Sequence, residues 1–161
     1  MICRYRKCDK VGETIEHVIA ECSSLYLRRQ NQLGKIIHQQ IAIKYKVLDR
    51  NALSYYRYMP EPVLESANMI LYWDWFTITD TIDFNRPDVV LINTENKKAF
   101  LIDTAVPLNH NLPTNEAEKI KEYENFVPEI NHIWKLNISI CPLSHPSSGS
   151  GHQNLLKISR Q

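Results

Sequence analysis

The sequence predicts an α+β fold, in which one mixed β-sheet is flanked by helices and the elements follow the order helix, strand, strand, strand, helix, strand. Two observations predict it. Apolar residues recur at helical spacing from Ser23 onward, whereas short aromatic and β-branched runs begin at Met69. The composition, with 43% hydrophobic and 23% charged residues among 161, is typical of a globular protein that can bury one core.

The first helix is predicted over residues 23–46, with Ser23 or Ser24 as its N-cap. Its apolar residues share one side of the helix, and its basic residues cover the other side. The basic side is a candidate surface for nucleic-acid phosphates, and an ordinary solvated helix face is the alternative interpretation. The basic residues are Arg28, Arg29, Lys35 and Lys44.

The elements that follow the first helix are predicted from turn residues and apolar runs. Prolines mark a linker, two neighbouring apolar runs joined by a polar turn form a hairpin, and a helix begins after Thr114 or Asn115. Pro128 is expected to kink or shorten that helix. The predicted spans are 49–62 for the linker, 69–78, 89–92 and 100–106 for three strands, 116–132 for the helix, 133–141 for the last strand and 142–161 for a flexible tail.

Charge and cysteine are distributed unevenly along the chain. Residues 1–60 carry 11 Lys or Arg against 5 Asp or Glu, although the whole chain has a formal net charge of +1. A basic front half is suited to phosphate binding. Three of the four cysteines fall within the first 22 residues, beside a histidine, and this clustering favours metal binding over disulfides in an intracellular chain. The apolar runs are too short to span a bilayer, and the N-terminus lacks the apolar stretch of a signal peptide, so we expect an intracellular protein with no membrane partner.

Two acidic residues occupy positions that rarely tolerate charge. Asp88 precedes the apolar strand 89–92, and Asp103 lies inside the apolar run 100–106. Burying an unpaired carboxylate is costly, so each needs a partner or a metal ion. On adjacent antiparallel strands the two carboxylates could hold Mg²⁺, which takes one or two protein carboxylates and fills its other positions with water and substrate phosphate. The alternative is that both acids are ordinary strand-end residues.

The predicted second helix carries Glu116, Lys119 and Tyr123 on one face, because they are spaced i, i+3 and i+7. If that face meets the two aspartates, the Lys119 ammonium could stabilise the negative charge that develops on a phosphate under attack. The residues alone are therefore compatible with a metal-dependent phosphodiester-cleaving site, and they leave the strand-end alternative open.

Three stretches carry a resemblance to a known family. They are residues 86–92 (Arg-Pro-Asp-Val-Val-Leu-Ile), 99–107 (Ala-Phe-Leu-Ile-Asp-Thr-Ala-Val-Pro) and 116–123 (Glu-Ala-Glu-Lys-Ile-Lys-Glu-Tyr). In order and spacing they resemble the restriction-enzyme-like endonuclease at the C-terminal end of non-LTR (LINE-type) retrotransposon polyproteins, associated there with a reverse transcriptase. The resemblance covers residues 3–140 and implies a restriction-endonuclease-like sheet.

The resemblance implies a hydrolase that nicks chromosomal DNA so that the exposed 3′ end primes reverse transcription. It implies that Asp88 and Asp103 are the metal ligands, with Mg²⁺ as cofactor, and that Lys119 and Tyr123 match the Lys-x-x-Lys-Tyr pattern of the helix. DNA is then the expected partner, retroelement RNA a second one, and the nucleus the expected location. The second lysine of the pattern is replaced by Glu122, so loss of catalysis is an open alternative.

The segment that precedes this domain resembles the zinc knuckle found just upstream of the same nuclease. Cys3, Cys8, His17 and Cys22 would be the zinc ligands, which suits tetrahedral coordination. Here Cys3 and Cys8 are separated by four residues, whereas the family has two, so a metal-free segment is the alternative. The resemblance divides the chain into a degenerate zinc-knuckle-like segment, a nuclease-like domain and a tail, over residues 1–24, 25–141 and 142–161.

Three functions remain open on the sequence. The first is an endonuclease domain, in a detached and partly decayed copy of the retroelement region. The second is a non-catalytic nucleic-acid-binding remnant, in which the basic front half binds and the acids have no role. The third is a structural protein without a ligand, which predicts no salt-dependent affinity for DNA.

Overall fold

One mixed sheet organises the computed structural model of this chain, which describes residues 22–48, 53–74, 87–106, 112–124 and 127–144. The sheet contains five strands, and three helices pack against it. In chain order the elements are α1 (Ser23–Lys44), β1 (Val63–Glu65), β2 (Met69–Trp73), β3 (Val89–Asn93), β4 (Lys98–Ala105), α2 (Leu112–Glu124), α3 (Val127–Trp134) and β5 (Asn137–Ser144).

The strands lie side by side in chain order. Strands β1 to β4 are antiparallel neighbours, and β5 runs parallel to β4. A parallel neighbour requires a crossover connection, which here passes through α2 and α3. The predicted α+β class with one mixed sheet is confirmed.

Each face of the sheet carries its own core, since alternate side chains of a strand point to opposite faces. Helix α1 covers one face, and α2 and α3 cover the other. Strand β4 lies between two neighbours and is buried along almost its whole length. The core on the α1 face contains Ile37, Ile41, Ala42, Met69, Leu71, Val89, Leu91, Phe100, Ile102 and Leu143. The core on the α2 and α3 face contains Val90, Ile92, Ala99, Leu101, Tyr123, Ile130 and Ile138.

The ends of α1 differ in detail from the prediction. The N-cap is Cys22, in extended conformation, and no side chain caps the helix; the predicted serine cap was wrong because both serines lie inside the first turn. The first turn is held instead by the amide of Tyr26, which donates to the carbonyl oxygen of Cys22 at 2.8 Å. The helix ends at Lys44, and Lys46 then takes a positive φ of 56°.

Three further boundaries differ from those predicted. Part of the predicted linker folds back onto α1, and a short strand, β1, follows it. The helix predicted over 116–132 is two helices, with Pro128 in the first turn of α3, where its missing N–H costs nothing. The last strand begins at Asn137 rather than at residue 133 and reaches Ser144, three residues into the predicted tail.

Within the described ranges, no helix has both the length and the apolar character that crossing a membrane requires. The zinc-knuckle-like segment, residues 1–24, lies outside the described residues except for 22–24, so its fold stays a prediction.

Candidate functional site

Asp88 and Asp103 occupy facing positions where the β3–β4 hairpin opens. The antiparallel ladder pairs Val89 with Ile102, and one step further along the same register brings Asp88 opposite Asp103. Directly opposite residues of an antiparallel pair are near neighbours on the same face of a sheet. Asp103 is tied on its other side to β5, opposite Pro142, and is 5% exposed. The two carboxyls therefore meet at one end of the sheet, where Asp103 is buried and Asp88 is half-buried.

Thr104 holds the carboxyl of Asp88 in place. Its backbone amide donates to Asp88 Oδ2 at 2.8 Å, and its hydroxyl donates to the same oxygen in a short hydrogen bond. The hydroxyl oxygen also lies 3.4 Å from the carbonyl oxygen of Gln30 in α1, but a hydroxyl has one proton to donate and the shorter contact takes it. Asp88 is thus fixed by the residue that follows Asp103 in the chain.

Helix α2 supplies two partners to Asp103. The Lys119 ammonium lies 2.9 Å from Asp103 Oδ2, and the Tyr123 hydroxyl donates to the same oxygen at 3.3 Å. Their i, i+4 spacing puts both side chains on one helix face. The structure thus brings together Asp88, Asp103, Lys119 and Tyr123, which the sequence analysis singled out as one site; the catalytic role of each stays a prediction.

Glu122 is a further neighbour of this lysine. Its Oε2 lies 3.5 Å from Lys119 Nζ, and its side chain is about half exposed. Glu122 stands where the resembled pattern has a second lysine, so the ammonium of Lys119 is shared between two carboxylates. A carboxylate here reduces the positive charge that a phosphate would meet.

The protonation of Asp88 is set by its surroundings. Burial raises the pKa of Asp88 to about 6; the two hydrogen bonds from Thr104 lower it, whereas the negative charge of Asp103 and hydrogen bonding with it raise it. The carboxyl therefore changes its charge just below neutral pH. A bound cation relieves the repulsion between two carboxylates placed this close together.

Lys119 and Tyr123 keep their protons at neutral pH. Burial lowers the pKa of Lys119, but attraction to Asp103 and Glu122 outweighs burial and raises this pKa above its ordinary value. Burial and the neighbouring carboxylates raise the pKa of Tyr123. The site therefore holds a fixed ammonium and a fixed phenol beside one carboxyl that can exchange a proton.

The donor set suits magnesium better than zinc. The contacts that Thr104, Lys119 and Tyr123 make with the carboxyls of Asp88 and Asp103 end on Oδ2 of each carboxyl. No group of three or more His, Cys, Asp or Glu side chains arranged to hold a metal occurs among the described residues. Two carboxylates meet the needs of Mg²⁺, which keeps several waters and takes the rest of its ligands from phosphate. The residues present thus fit a hydrated Mg²⁺.

A cavity of about 550 Å³ opens beside Asp88 on the α1 side of the sheet. Two of the predicted phosphate-binding residues, Arg28 and Lys35, line it from α1, because seven residues of helix bring them to one face. The other lining residues are Leu27, Asn31, Gln32, Trp73, Asp74 and Asp88. Asp88 therefore belongs to the carboxyl pair and also lines an open cavity, whose other charged residues are Arg28, Lys35 and Asp74.

Gly34 explains how Trp73 reaches this cavity. A Cβ atom at Gly34 would lie 2.9 Å and 3.1 Å from two ring carbons of Trp73, which is too close for a real contact. The missing side chain lets the indole pack directly on the backbone of α1. A glycine that weakens the helix by its propensity is thus required by packing.

The other two predicted phosphate-binding residues, Arg29 and Lys44, do not line this cavity. The Lys44 ammonium lies 5.3 Å from the ring centre of Tyr45 at the far end of α1. Cys3, Cys8 and His17 lie outside the described residues. Cys22 is described, and with 1% exposure it is buried at the start of α1. Zinc binding by these four residues stays a prediction.

Two features of this region were not predicted from the sequence. Thr104 is polar within an apolar strand and directly follows Asp103, which could have marked it as a partner of the carboxyl pair. His38 lies inside the apolar side of α1, where its buried ring contacts Tyr58 and Trp73, and only the docking of α1 on the sheet explains its partners.

Comparison with protein families, with curated proteins and with solved structures finds no match to this chain.

Proposed function

We propose that this chain is a magnesium-dependent DNA endonuclease domain of the retrotransposon type, which hydrolyses a phosphodiester and nicks target DNA. One observation carries the proposal: a buried and a half-buried carboxyl at facing positions of neighbouring strands, Asp103 and Asp88, meet one ammonium from the following helix. Burying Asp103 beside a second acid is costly, and the ion pair from Lys119 offsets part of that cost.

Each side chain has a distinct task in the proposed reaction. Asp88 and Asp103 would hold the cation, which when bound supplies Lewis-acid activation of water and phosphate. Lys119, protonated at neutral pH, offers positive charge to the phosphate oxygens as negative charge develops. Asp88 has a pKa raised to about 6 by burial, and a bound cation would favour its ionised form. Tyr123 orients Asp103 through its hydroxyl.

The cavity beside Asp88 supports a polymeric phosphodiester as substrate. Arg28 and Lys35 carry positive charge along its α1 wall, within reach of a strand whose phosphate lies at Asp88. With a metal ion bound at Asp88, the two cations would outnumber the one remaining carboxylate of the lining, Asp74, which suits the cavity to an anionic polymer. DNA is therefore the proposed partner. The RNA of the retroelement is a second proposed partner, which the same cations could bind.

Two departures from the family pattern bear on how active the domain is. The restriction-enzyme position two residues after Asp103 is Ala105, so Lys119 is the ammonium nearest the carboxyl pair among the described residues. Glu122 draws on the same ammonium. We therefore propose a nuclease of reduced rate.

Nicking of supercoiled plasmid with and without Mg²⁺ tests the proposal. The chain should convert supercoiled to open-circular DNA in Mg²⁺ and not in a chelator, and Asp103→Asn should abolish the conversion. Circular dichroism checks that the variant folds. Nicking that Asp103→Asn leaves unchanged would contradict this site.

A second candidate function is nucleic-acid binding without catalysis. It is favoured by the ion pair between Lys119 and Asp103, because a lysine satisfied by a carboxylate can be purely structural. It predicts salt-dependent DNA binding that needs no metal, that Asp88→Asn leaves intact, and that is accompanied by no nicking.

Zinc binding by Cys3, Cys8, His17 and Cys22 is proposed for the segment before the domain. Metal analysis of the purified chain should find zinc in about one equivalent, as expected for one tetrahedral site. Cys8→Ser should lose it without affecting nicking if the two sites are separate.

A further inference from the structure

A turn between α1 and β1 presents aromatic rings to solvent; we call residues 54–59 the tyrosine turn. The amides of Arg57 and Tyr58 both donate to the carbonyl oxygen of Ser54, at 2.8 Å and 3.0 Å, and close the turn. Tyr56 is 67% exposed, Tyr55 48% and Met59 73%. Large side chains are usually exposed singly, so three within five residues require an explanation.

The tyrosine turn is anchored to the helix beneath it. Tyr58 points inward, is buried, and its hydroxyl lies 2.7 Å from His38 Nδ1 in α1. The two rings are 5.8 Å apart between centroids, and the His38 ring also meets Trp73 edge to face at 5.7 Å. The buried Tyr58 thus fixes the turn that bears the exposed rings. Because the turn is already ordered, less conformational entropy is lost when the rings bind a ligand.

The exposed rings have the chemistry of a base-binding surface. Tyr55 and Tyr56 are 5.5 Å apart at 87°, so their faces point in different directions. The guanidinium of Arg57 lies 5.8 Å from the ring centre of Tyr56. Aromatic faces beside arginine are the groups on which unpaired bases stack, and stacking needs no particular base.

The tyrosine turn adjoins the cavity at Asp88 through Lys35. The Lys35 ammonium lies 3.5 Å from the sulfur of Met59, and the same lysine lines the cavity. A nucleic-acid strand with a phosphate at Lys35 would therefore lie beside Met59, a residue of the tyrosine turn. A single nucleic-acid strand alternates phosphates with bases. Cations can bind its phosphates, and aromatic rings next to those cations can stack on its bases.

We propose that the tyrosine turn binds the unpaired bases of single-stranded DNA whose backbone lies along Arg28 and Lys35. That the polymer is DNA rests on the proposed function. What is new is that the DNA is bound as an unpaired strand beside the cut site. A paired duplex hides its base faces, so the turn selects frayed, nicked or displaced DNA over intact duplex.

Fluorescence anisotropy in a chelator tests this binding apart from cleavage. The probes are a labelled short oligodeoxythymidine and an abasic oligomer of the same length, which has the phosphates without the bases. The full chain should bind the first more tightly than the second. Tyr56→Ala should weaken binding of the oligodeoxythymidine by about fivefold or more and leave abasic binding unchanged, since stacking is lost and charge is kept.

Two control variants separate stacking from charge. Arg28→Ala should weaken binding of both oligomers equally, because it removes a phosphate contact. Ile133→Ala removes an exposed apolar side chain on α3, away from α1, and should change neither. All variants change exposed positions, and thermal melting confirms that they fold.

Three results would overturn the inference. One is equal affinity of the full chain for the two oligomers, and another is unchanged oligodeoxythymidine binding by Tyr56→Ala. The third is self-association in sedimentation that Tyr56→Ala abolishes, which would make the turn a contact between copies of the chain. Because no metal is present, absence of nuclease activity leaves all these measurements intact.

Discussion

The Lys119 ammonium lies 2.9 Å from Asp103 Oδ2, joining helix α2 to strand β4 at the position where the β3–β4 ladder ends. This contact neutralises Asp103, the buried member of the carboxyl pair. Asp88 makes no ion pair among the described residues, and burial raises its pKa to about 6. The ion pair thus compensates the charge of one acid and leaves that of the other uncompensated. A divalent cation would compensate this remaining charge.

Replacing Asp88 by asparagine should stabilise the fold while abolishing nicking. The pKa of Asp88 is raised from 3.8 to about 6, so ionising it in the folded chain costs stability, and removing this cost gives up to about 3 kcal/mol. Because the folded pKa is the higher one, the gain is absent below pH 3.8, grows as pH rises and is complete above about 6. Urea unfolding in a chelator at several pH values measures it. A destabilised variant at neutral pH would contradict the origin given for the pKa shift.

Replacing Lys119 by methionine should affect both folding and catalysis. Asp103 then keeps its charge without its cation, which we expect to cost about 2 kcal/mol, less than a fully buried pair because Lys119 is partly exposed. Nicking should fall by about a hundredfold or more, since charge stabilisation of the phosphate is lost. Lys119→Arg is the control and should retain stability. Full nicking by the methionine variant would exclude Lys119 from the mechanism.

Glu122→Lys should raise the nicking rate. The change removes a carboxylate that lies 3.5 Å from Lys119 Nζ and adds a cation to the same helix face, restoring the resembled pattern. Glu124→Lys is the matched control, because it makes the same charge change on α2 at an exposed position. Single-turnover plasmid nicking compares them. Equal rates for the two variants would show that net charge alone, rather than position 122, sets the rate.

The sequence predicted the strands of the site better than its helices. Strands β3 and β4 are apolar at nearly every position because they are buried on both faces, and the polar turn between these two short runs marked them as a hairpin. Ile133 and Trp134 were assigned to a strand, but they continue the helical spacing of Ile130 and end α3. Short apolar runs fit either element, and only packing on the sheet decides between them.

The candidate site was predictable as far as local spacing determines it. Facing positions on a hairpin follow from the turn length, so the proximity of Asp88 and Asp103 could be expected. The i, i+4 spacing of Lys119 and Tyr123 predicted that they share one face of the helix. It did not predict that both contact Asp103. The cavity depends on how α1 docks, which Gly34 and Trp73 determine through a contact between distant parts of the chain.

Removing the Tyr58 hydroxyl should destabilise the chain through His38. Tyr58→Phe leaves the buried His38 Nδ1 without its 2.7 Å partner, and His38 Nε2 already has no hydrogen-bond partner among the described residues, so we expect a loss of about 1–3 kcal/mol. Thermal and urea unfolding measure the loss. An unchanged midpoint would mean that water replaces the hydroxyl.

The pH dependence of His38 opposes that of Asp88. Burial lowers the pKa of His38 from 6.5 to about 4, so its stabilising contribution is complete above 6.5 and is lost as pH falls toward 4. Asp88 has the opposite slope over nearly the same range. The wild-type chain should therefore change little in stability between these pH values, whereas Asp88→Asn should lose stability steadily on acidification. Parallel profiles for the two proteins would contradict this assignment.

Binding of Mn²⁺, used as a paramagnetic substitute for Mg²⁺ and followed by electron paramagnetic resonance, tests most directly whether the two carboxyls hold a cation. The wild-type chain should show a site that Asp88→Asn and Asp103→Asn each remove. Lys119→Met should bind Mn²⁺ at least as tightly as wild type, because the competing ammonium is gone, and yet nick poorly. Mn²⁺ binding that is the same in wild type and both asparagine variants would contradict the proposed metal site.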